Sequence, residues 1–265
     1  MEKGRVARAA ASPVVVKLGG SIATDKSSPF TYRGEAVLRL AKEVALSGRR
    51  VVLVHGGGSF GHSAATKYGL SSRTTRSSTE GVSETRAAMY RLDLLVCSSL
   101  AEAGLKPYPF SPFDLLLKGS RPAAWITALL NAGLVPVTFG DVVRRGDGFT
   151  ILSGDTIAYD LCRLLRPARC IFVLDADGVY DEKGALIPDL ATGRIGHLKL
   201  DRSDDATGGI RLKLREASRI AALGVDAVFV SGRSPEEFAK ALKMLSFHGT
   251  IVRKGVLRSV QERQG

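Results

Sequence analysis

Two glycine-rich turns contain the residues whose types and spacing point most clearly to chemistry. The first spans residues 17–21 and reads Lys-Leu-Gly-Gly-Ser, and the second spans residues 55–62 and reads His-Gly-Gly-Gly-Ser-Phe-Gly-His. Glycine has no Cβ, so the N–H groups of such turns can approach a ligand closely, and at the start of a helix they favour phosphate. Two such turns predict two phosphate-bearing ligands in one cleft. Phosphoryl transfer is the reaction that needs this arrangement.

The apolar pattern predicts the elements that must position these turns. Short apolar runs alternate with segments that can form helices, and the runs lie at residues 14–16, 51–54, 135–139, 170–174 and 227–230. This alternation predicts an α/β protein with a mostly parallel sheet covered by helices on both faces. Two lobes are expected to join near residue 167. Three prolines within residues 106–114 predict a rigid, irregular connection there.

Composition limits the classes of partner. The chain of 265 residues is 45% hydrophobic and 24% charged, as is typical of globular proteins. No apolar run approaches the roughly 20 residues that cross a bilayer, so we expect no membrane partner. The formal charge is +12, but the arginines are scattered, so we expect small anions such as ATP rather than nucleic acid. Three cysteines among apolar neighbours favour reduced core thiols and a cytoplasmic protein.

Five motifs in a fixed order carry a resemblance to a known family. They lie at residues 17–26, 55–62 with 68–70, 153–155, 175–181 and 207–213. In these motifs the chain resembles the amino acid kinase family and, within it, the members that act on isopentenyl phosphate in isoprenoid biosynthesis. The resemblance implies an open αβα sandwich and usually a homodimer, with the acceptor bound by residues 1–167 and ATP by residues 168–265. It also implies transfer of the γ-phosphate of MgATP to isopentenyl phosphate, a small phosphorylated isoprenoid, giving isopentenyl diphosphate.

Four charged residues receive roles from the resemblance and from the charge of the reaction. Transfer between two anions requires neutralisation of the phosphate oxygens. Lys17 would reach the β- and γ-phosphates, Lys26 would steady the transferred group, and Lys213 would hold an ATP phosphate. Asp155 would organise the site by holding Lys17 and Lys26 through charge-assisted hydrogen bonds. No general base is required, because the acceptor phosphate is already an oxyanion near neutral pH.

His62 is the residue that discriminates between acceptors. It lies just past the second glycine turn, where its imidazole can hydrogen-bond the acceptor phosphate beside the amides of Gly57 and Gly58. The family places a phosphate-binding histidine here, and Gly154 is assigned to the same substrate site. His55 ends a predicted buried strand and is expected to be structural.

Nucleotide binding is assigned to the glycine turns and to residues that follow the later strands. Ligands of open α/β sheets lie beyond the carboxyl ends of the strands, which favours adenosine binding there. Besides Lys17 and Lys213, the residues assigned to the nucleotide are Gly19, Gly20, Ser21, Gly58, Asp175, Asp177, Gly178, Val179, Tyr180, Gly208 and Gly209.

No cluster of carboxylates in the sequence forms a dedicated metal cage. Mg²⁺ is therefore expected to be held by ATP oxygens and water, and no residue is assigned to a metal. Two positions depart from the family pattern: Thr156, where a second acid often follows Gly-Asp, and Ile210, where methionine is common. The change at Thr156 is expected to leave the mechanism intact but can alter how the lysines are organised.

Several alternatives stay open. The chain can be a kinase of the same fold that acts on another small phosphate or on a phosphonate such as fosfomycin, or a nucleotide-binding protein without turnover. The polar tract at residues 71–78 is either a mobile loop or a lid. The apolar stripe of a helix predicted at residues 80–103 is either ordinary core or, near Met89, a wall of the acceptor pocket.

Overall fold

Valine-rich strands and amphipathic helices alternate in the structure, a computed structural model that describes residues 12–70, 78–115, 121–198 and 209–255. The strands are β1 (Val14–Leu18), β2 (Val51–His55), β3 (Pro107–Pro109), β4 (Val135–Phe139), β5 (Asp141–Arg145), β6 (Gly148–Leu152), β7 (Arg169–Leu174), β8 (Asp189–Ala191), β9 (Asp226–Ser231) and β10 (Gly249–Arg253). The α-helices are α1 (Gly20–Ala23), α2 (Gly34–Ser47), α3 (Gly58–Lys67), α4 (Thr79–Glu102), α5 (Pro122–Asn131), α6 (Gly154–Leu165), α7 (Gly209–Ala222) and α8 (Pro235–Leu242).

Eight strands form one sheet in the order β3-β4-β2-β1-β7-β9-β10-β8. Neighbouring strands are parallel except β9 and β10, and β5 and β6 form a separate antiparallel hairpin. The predicted mostly parallel sheet is confirmed. Strands that precede residue 167 fill one half of the sheet and those that follow it fill the other, with β1 against β7 at the centre. The division of the chain into two functional lobes stays a prediction.

The side chains of β1 show how the sheet is covered. Val14 and Val16 belong to one apolar cluster and Val15 belongs to the other, because successive side chains of a strand point to opposite faces. Residues of α2, α4 and α8 cover the first face, and residues of α5, α6 and α7 cover the second, which confirms the open αβα sandwich. The same alternation directs Lys17 to the face that carries α6.

The proline-rich segment at residues 106–114 is more regular than predicted. It contains the short strand β3 and the start of a 3-10 helix, Pro112–Leu115. Proline has no N–H to donate to a neighbouring strand, and the two prolines of β3 lie in an edge strand, where fewer ladder hydrogen bonds are needed. The tract predicted at residues 71–78 lies outside the described residues, apart from Ser78, which caps α4 by accepting a hydrogen bond from the Gly81 N–H.

Two findings bear on the predicted environment of the protein. The three cysteines are buried and free, as predicted. None of the helices in the described ranges combines the length and the apolar composition that a bilayer crossing requires.

Candidate active site

The two glycine turns lie side by side because β1 and β2 are adjacent parallel strands. A Cβ added to Gly20 would lie 2.6 Å from the amide nitrogen of Gly58, so this contact between the turns requires glycine. Gly58 has a φ of +47°, a left-handed conformation that glycine adopts without strain. Gly57 is the N-cap of α3, and the N–H of Gly58 precedes the first hydrogen bond of this helix, which Phe60 donates to the carbonyl oxygen of Gly57. The structure therefore brings the two predicted phosphate-binding turns together.

A third turn adds the start of α6 to this group. The chain returns from the β5–β6 hairpin to Ser153, whose side chain caps α6. A Cβ added to Gly154 would lie 3.1 Å from the carbonyl oxygen of His55 and 3.4 Å from Cε of Lys17. This close approach brings the next residue, Asp155, to Lys17.

Asp155 lies between two lysines in the buried part of the site. Its carboxylate oxygens are 2.6 Å from Nζ of Lys17 and 3.5 Å from Nζ of Lys213. Burial alone would raise the pKa of Asp155, but the two ammonium groups outweigh it, and the pKa lies below its usual value. Burial and the charge of Lys17 lower the pKa of Lys213. One ionised carboxylate thus holds two cations that would otherwise repel each other.

The second lysine on Asp155 is Lys213, and the predicted pair between Asp155 and Lys26 is wrong. Lys213 lies near the start of α7, which packs against α6, so its side chain reaches the carboxylate from the neighbouring helix. Lys26 is exposed on the turn after α1. Within the described residues it forms no hydrogen bond or ion pair.

His62 and the three predicted lysines share one electrostatic environment. The imidazole is accessible to solvent. Even so, the surrounding protein desolvates it enough to be the largest cause of its lowered pKa. The positive charges of Lys26, Lys17 and Lys213 lower the pKa of His62 further, in that order. The imidazole is therefore neutral near pH 7 and has an N–H to donate.

His55 serves the fold, as predicted. It is completely buried, and Nε2 of its ring lies 3.1 Å from Oδ1 of Asp93 on α4. The ring stacks on Phe139 with 5.6 Å between the centroids. These contacts leave His55 on the underside of the second turn, where it supports the turn.

Met89 belongs to the core beneath the same turn. Its side chain is buried, and a Cβ added to Gly61 would lie 2.7 Å from Sδ of Met89. A separate apolar cluster lies between α3, the first turns of α4 and the β5–β6 hairpin. Its members are Ala65, Leu70 and Val142, with Val82, Phe149 and Ile151 packed against them. The stripe of this helix was predicted to be either core or, near Met89, a wall of the acceptor pocket. Met89 belongs to the core. The apolar cluster that includes Val82 lies instead against the β5–β6 hairpin.

Five of the residues assigned to the nucleotide, Asp175 and the four residues 177–180, follow β7. Asp175 comes directly after this strand, and its Oδ1 lies 2.6 Å from Nε of Arg233. The hydroxyl of Tyr180 donates to Oδ2 of Asp177 at 3.1 Å. Both contacts lie at the carboxyl end of the sheet, as predicted for this segment.

The two residues between Asp177 and Tyr180 make contacts that serve the fold. A Cβ added to Gly178 would lie 2.5 Å from Oγ1 of Thr250, so glycine is needed for this packing. The N–H of Val179 donates to the same hydroxyl at 2.9 Å, and the side chain of Val179 is buried. The assignment of Val179 to the nucleotide stays a prediction.

The remaining residues assigned to the nucleotide, as far as the structure describes them, lie at the starts of the three helices α1, α3 and α7. The N–H of Gly19 donates to the carbonyl oxygen of Val173 at 2.9 Å, which ties the first turn to β7. Ser21 lies on α1, and Gly209 begins α7. Gly208 lies outside the described residues.

Comparison with known proteins identifies the family. A family model described as the amino acid kinase family matches residues 12–231. The chain belongs to the amino acid kinase family.

Members of this family named isopentenyl phosphate kinase are similar to the chain over most of its length. The Thermoplasma acidophilum enzyme is 33% identical, with 91% of this chain and 100% of the relative covered. The Haloferax volcanii enzyme is 37% identical, with 84% and 97% covered. The fold is also similar to that in the crystal structure of the T. acidophilum isopentenyl phosphate kinase product complex, with a TM-score of 0.74 and 32% sequence identity. The match covers 91% of this chain and 100% of the chain in that crystal structure.

Thr24 is a residue of this kinase site that the sequence prediction missed. Its hydroxyl donates to the carbonyl oxygen of Gly20 and accepts from the N–H of Ser59, both at 2.8 Å. The side chain is completely buried and joins the two glycine turns. A signal was present, because Thr24 lies within the first motif. Arg233, the partner of Asp175, had no motif around it.

Within the described ranges, no group of three or more His, Cys, Asp or Glu side chains is arranged to hold a metal. Asp155 already shares its carboxylate between two lysines. It is therefore a poor candidate for a direct metal ligand.

Proposed function

We propose that this protein transfers the γ-phosphoryl group of ATP to isopentenyl phosphate and forms isopentenyl diphosphate. The observation that carries the proposal is the contact between the two glycine turns, which brings the start of α3, the helix that carries His62, against the turn that follows Lys17. A phosphate acceptor needs a hydrogen-bond donor beside the cations that neutralise the transferred group. The similarity to the isopentenyl phosphate kinases of T. acidophilum and H. volcanii supports the choice of acceptor.

The donor end of the reaction is assigned to Lys17 and Lys213. Both ammonium groups contact Asp155, so their positions are set before ATP binds. Charge that is preorganised in a dry site stabilises a developing anion more than mobile charge in water does. We infer that Lys17 contacts the β- and γ-phosphates and that Lys213 contacts an ATP phosphate.

The acceptor end is assigned to His62, Lys26 and the amides of Gly57 and Gly58. An oxygen of the acceptor phosphate attacks the γ-phosphorus, a new P–O bond forms, and the bond to the ADP oxygen breaks. His62 donates a hydrogen bond to the acceptor phosphate, and Lys26 neutralises the group in transfer. Phosphate monoesters have a second pKa of about 6, so the nucleophile is already ionised at pH 7.

We infer that the apolar tail of the acceptor lies against the cluster formed by Val82, Phe149, Ile151 and their buried neighbours. This cluster lies between the helix that carries His62 and the hairpin that leads to α6. Burial of a five-carbon tail there favours binding, because each buried CH₂ group contributes about 0.8 kcal/mol. The tail then extends away from the charged end of the site.

Mg²⁺ is proposed to enter with the nucleotide. The carboxylate nearest the phosphates is committed to two lysines, so the oxygen ligands of the ion would come from ATP and water. When bound, the ion would supply positive charge to the phosphate oxygens. The protein residues described here would orient the phosphates around it.

A homodimer is proposed through the outer face of α4 and the edge strand β3. Leu94 is 62% exposed, and Leu95, Tyr90 and Tyr108 are also exposed on this surface. A second copy of the chain would cover these apolar groups. Light scattering should give twice the monomer mass, and Leu94→Glu should lower it; an unchanged mass for this variant would rule out this surface.

We also propose a cytoplasmic location. The free, buried cysteines support it.

An acceptor panel with radiolabelled ATP tests the proposed reaction. Isopentenyl phosphate, dimethylallyl phosphate, fosfomycin, acetylglutamate and UMP are compared under identical conditions. Isopentenyl phosphate is expected to have the highest kcat/KM. A higher value for fosfomycin would favour the phosphonate alternative, and no labelled product with any acceptor would favour a binding protein without turnover.

A further inference from the structure

A row of polar contacts joins α6 to α7 and begins at the active site. The first contact is the pair of Asp155 and Lys213, with 3.5 Å between carboxylate and ammonium. The second lies one turn further along α7, where Oε1 of Glu216 is 3.5 Å from Oγ1 of Thr156. Lys213 and Glu216 are three residues apart and therefore lie on the same face of α7. Each contact joins a helix from one half of the chain to a helix from the other.

Glu216 is an unusual residue for a helix interface, because its carboxylate is completely buried. It accepts hydrogen bonds from Arg219 at 2.6 Å and from Arg215 at 3.0 Å. The Arg219 guanidinium lies 3.6 Å from the centroid of the Tyr159 ring on α6. A buried ion pair often contributes less to stability than well-packed apolar side chains of similar volume. Stability alone is therefore a weak reason for a carboxylate here, whereas a directional network fixes one orientation of the two helices.

We propose that Glu216 is a positioning residue for phosphoryl transfer. It holds α7 in register with α6, through Thr156 directly and through Arg219 stacked on Tyr159, so that Lys213 stays against Asp155. The role rests on the proposed kinase function, but it concerns the ATP end of the site. Without Glu216, these contacts between α7 and α6 are lost, and Lys213 is held less firmly against Asp155.

Glu216→Gln tests this role, because the amide keeps the shape of the side chain and removes its charge. The expected result is ATP binding weakened about tenfold in calorimetry, a lower kcat and an unchanged KM for isopentenyl phosphate. The matched control is Asp189→Asn, which removes a carboxylate from an exposed pair with Arg253 and should change neither quantity. Wild-type ATP affinity and kcat in Glu216→Gln would overturn the proposal.

A transposed variant separates positioning from simple loss of folding. Glu216→Thr alone should bind ATP weakly, and Glu216→Thr combined with Thr156→Asp should regain at least part of the affinity, because the carboxylate then bridges the same gap from α6. No recovery would overturn the proposal. ATP binding is measured without an acceptor, so a protein that binds ATP but does not phosphorylate isopentenyl phosphate would refute the proposed function and leave this test valid.

Discussion

The proposed donor and acceptor ends of the site are built in different ways. At the donor end, Lys17 and Lys213 are held by the buried carboxylate of Asp155. At the acceptor end, Lys26 and His62 are exposed, and neither forms a hydrogen bond or ion pair within the described ranges. If the proposed assignments are correct, the fold fixes the charges that meet ATP, whereas the acceptor phosphate must order the groups that bind it. Substitutions at the two ends should therefore differ in their effects on stability.

The largest effect is expected for Asp155→Asn. Removal of one partner from a buried ion pair costs about 3–5 kcal/mol, because the other charge is left uncompensated. We expect a lower free energy of unfolding in urea and a kcat reduced by roughly 100-fold or more. Asp160→Asn on the same helix is the matched control and should change both values far less. A folded Asp155→Asn protein with near-normal kcat would contradict the assignment of the donor end.

Lys26→Ala should lower kcat with little change in stability. The side chain is exposed, so the free energy of unfolding should stay within about 0.5 kcal/mol of the wild-type value. A kcat reduction of roughly 50-fold with a small change in ATP affinity is expected, since the interaction is made mainly in the transition state. Lys42→Ala on the outer surface of α2 is the control. Equal losses in kcat and ATP affinity would make Lys26 a residue for binding only.

His62→Ala should act on the acceptor alone. Loss of one hydrogen bond to a charged group should raise KM for isopentenyl phosphate by roughly tenfold and leave KM for ATP unchanged. His197→Ala, which changes an exposed histidine outside the site, is the control. Normal acceptor kinetics in His62→Ala would remove His62 from the acceptor site.

The smallest expected effect is a pH dependence of stability. The pKa of His62 in the folded protein lies below its unfolded value of about 6.5, chiefly because the surrounding protein partly desolvates the accessible ring. Between these two pKa values the unfolded state binds more protons, so stability falls as the pH drops through about 6.5. His62→Gln should reduce this loss when urea unfolding is compared at pH 7.5 and 5.5. An identical pH dependence in both proteins would show that burial and the lysines do not disfavour the imidazolium.

The glycine turns could be predicted from the sequence because local signals determine them. Valine runs indicated β1 and β2. Because the two strands are adjacent and parallel, their carboxyl ends lie side by side, and so do the turns that follow them. The contact between Gly20 and Gly58 is a direct consequence of that arrangement. His55 was recognisable as structural for the same reason, since it ends a buried strand.

The contacts of α7 could not be predicted from the same signals. The sequence indicated that Asp155 organises lysines, but which lysine reaches it depends on how α7 packs against α6. The structure places Lys213 there and leaves Lys26 exposed. Glu216 and Thr156 lie close together for the same reason, because α7 packs against α6. The spacing of residues within either helix does not predict this contact.

The stereochemistry of transfer at the γ-phosphorus is the most direct test of the central claim, that donor and acceptor meet end to end in one cleft. ATP made chiral at its γ-phosphorus with sulfur and oxygen isotopes is reacted with isopentenyl phosphate, and the configuration of the product is determined. We expect inversion of configuration, which a single in-line displacement produces. Retention would contradict the central claim, because two displacements would then be needed, with the phosphoryl group carried by the protein between them.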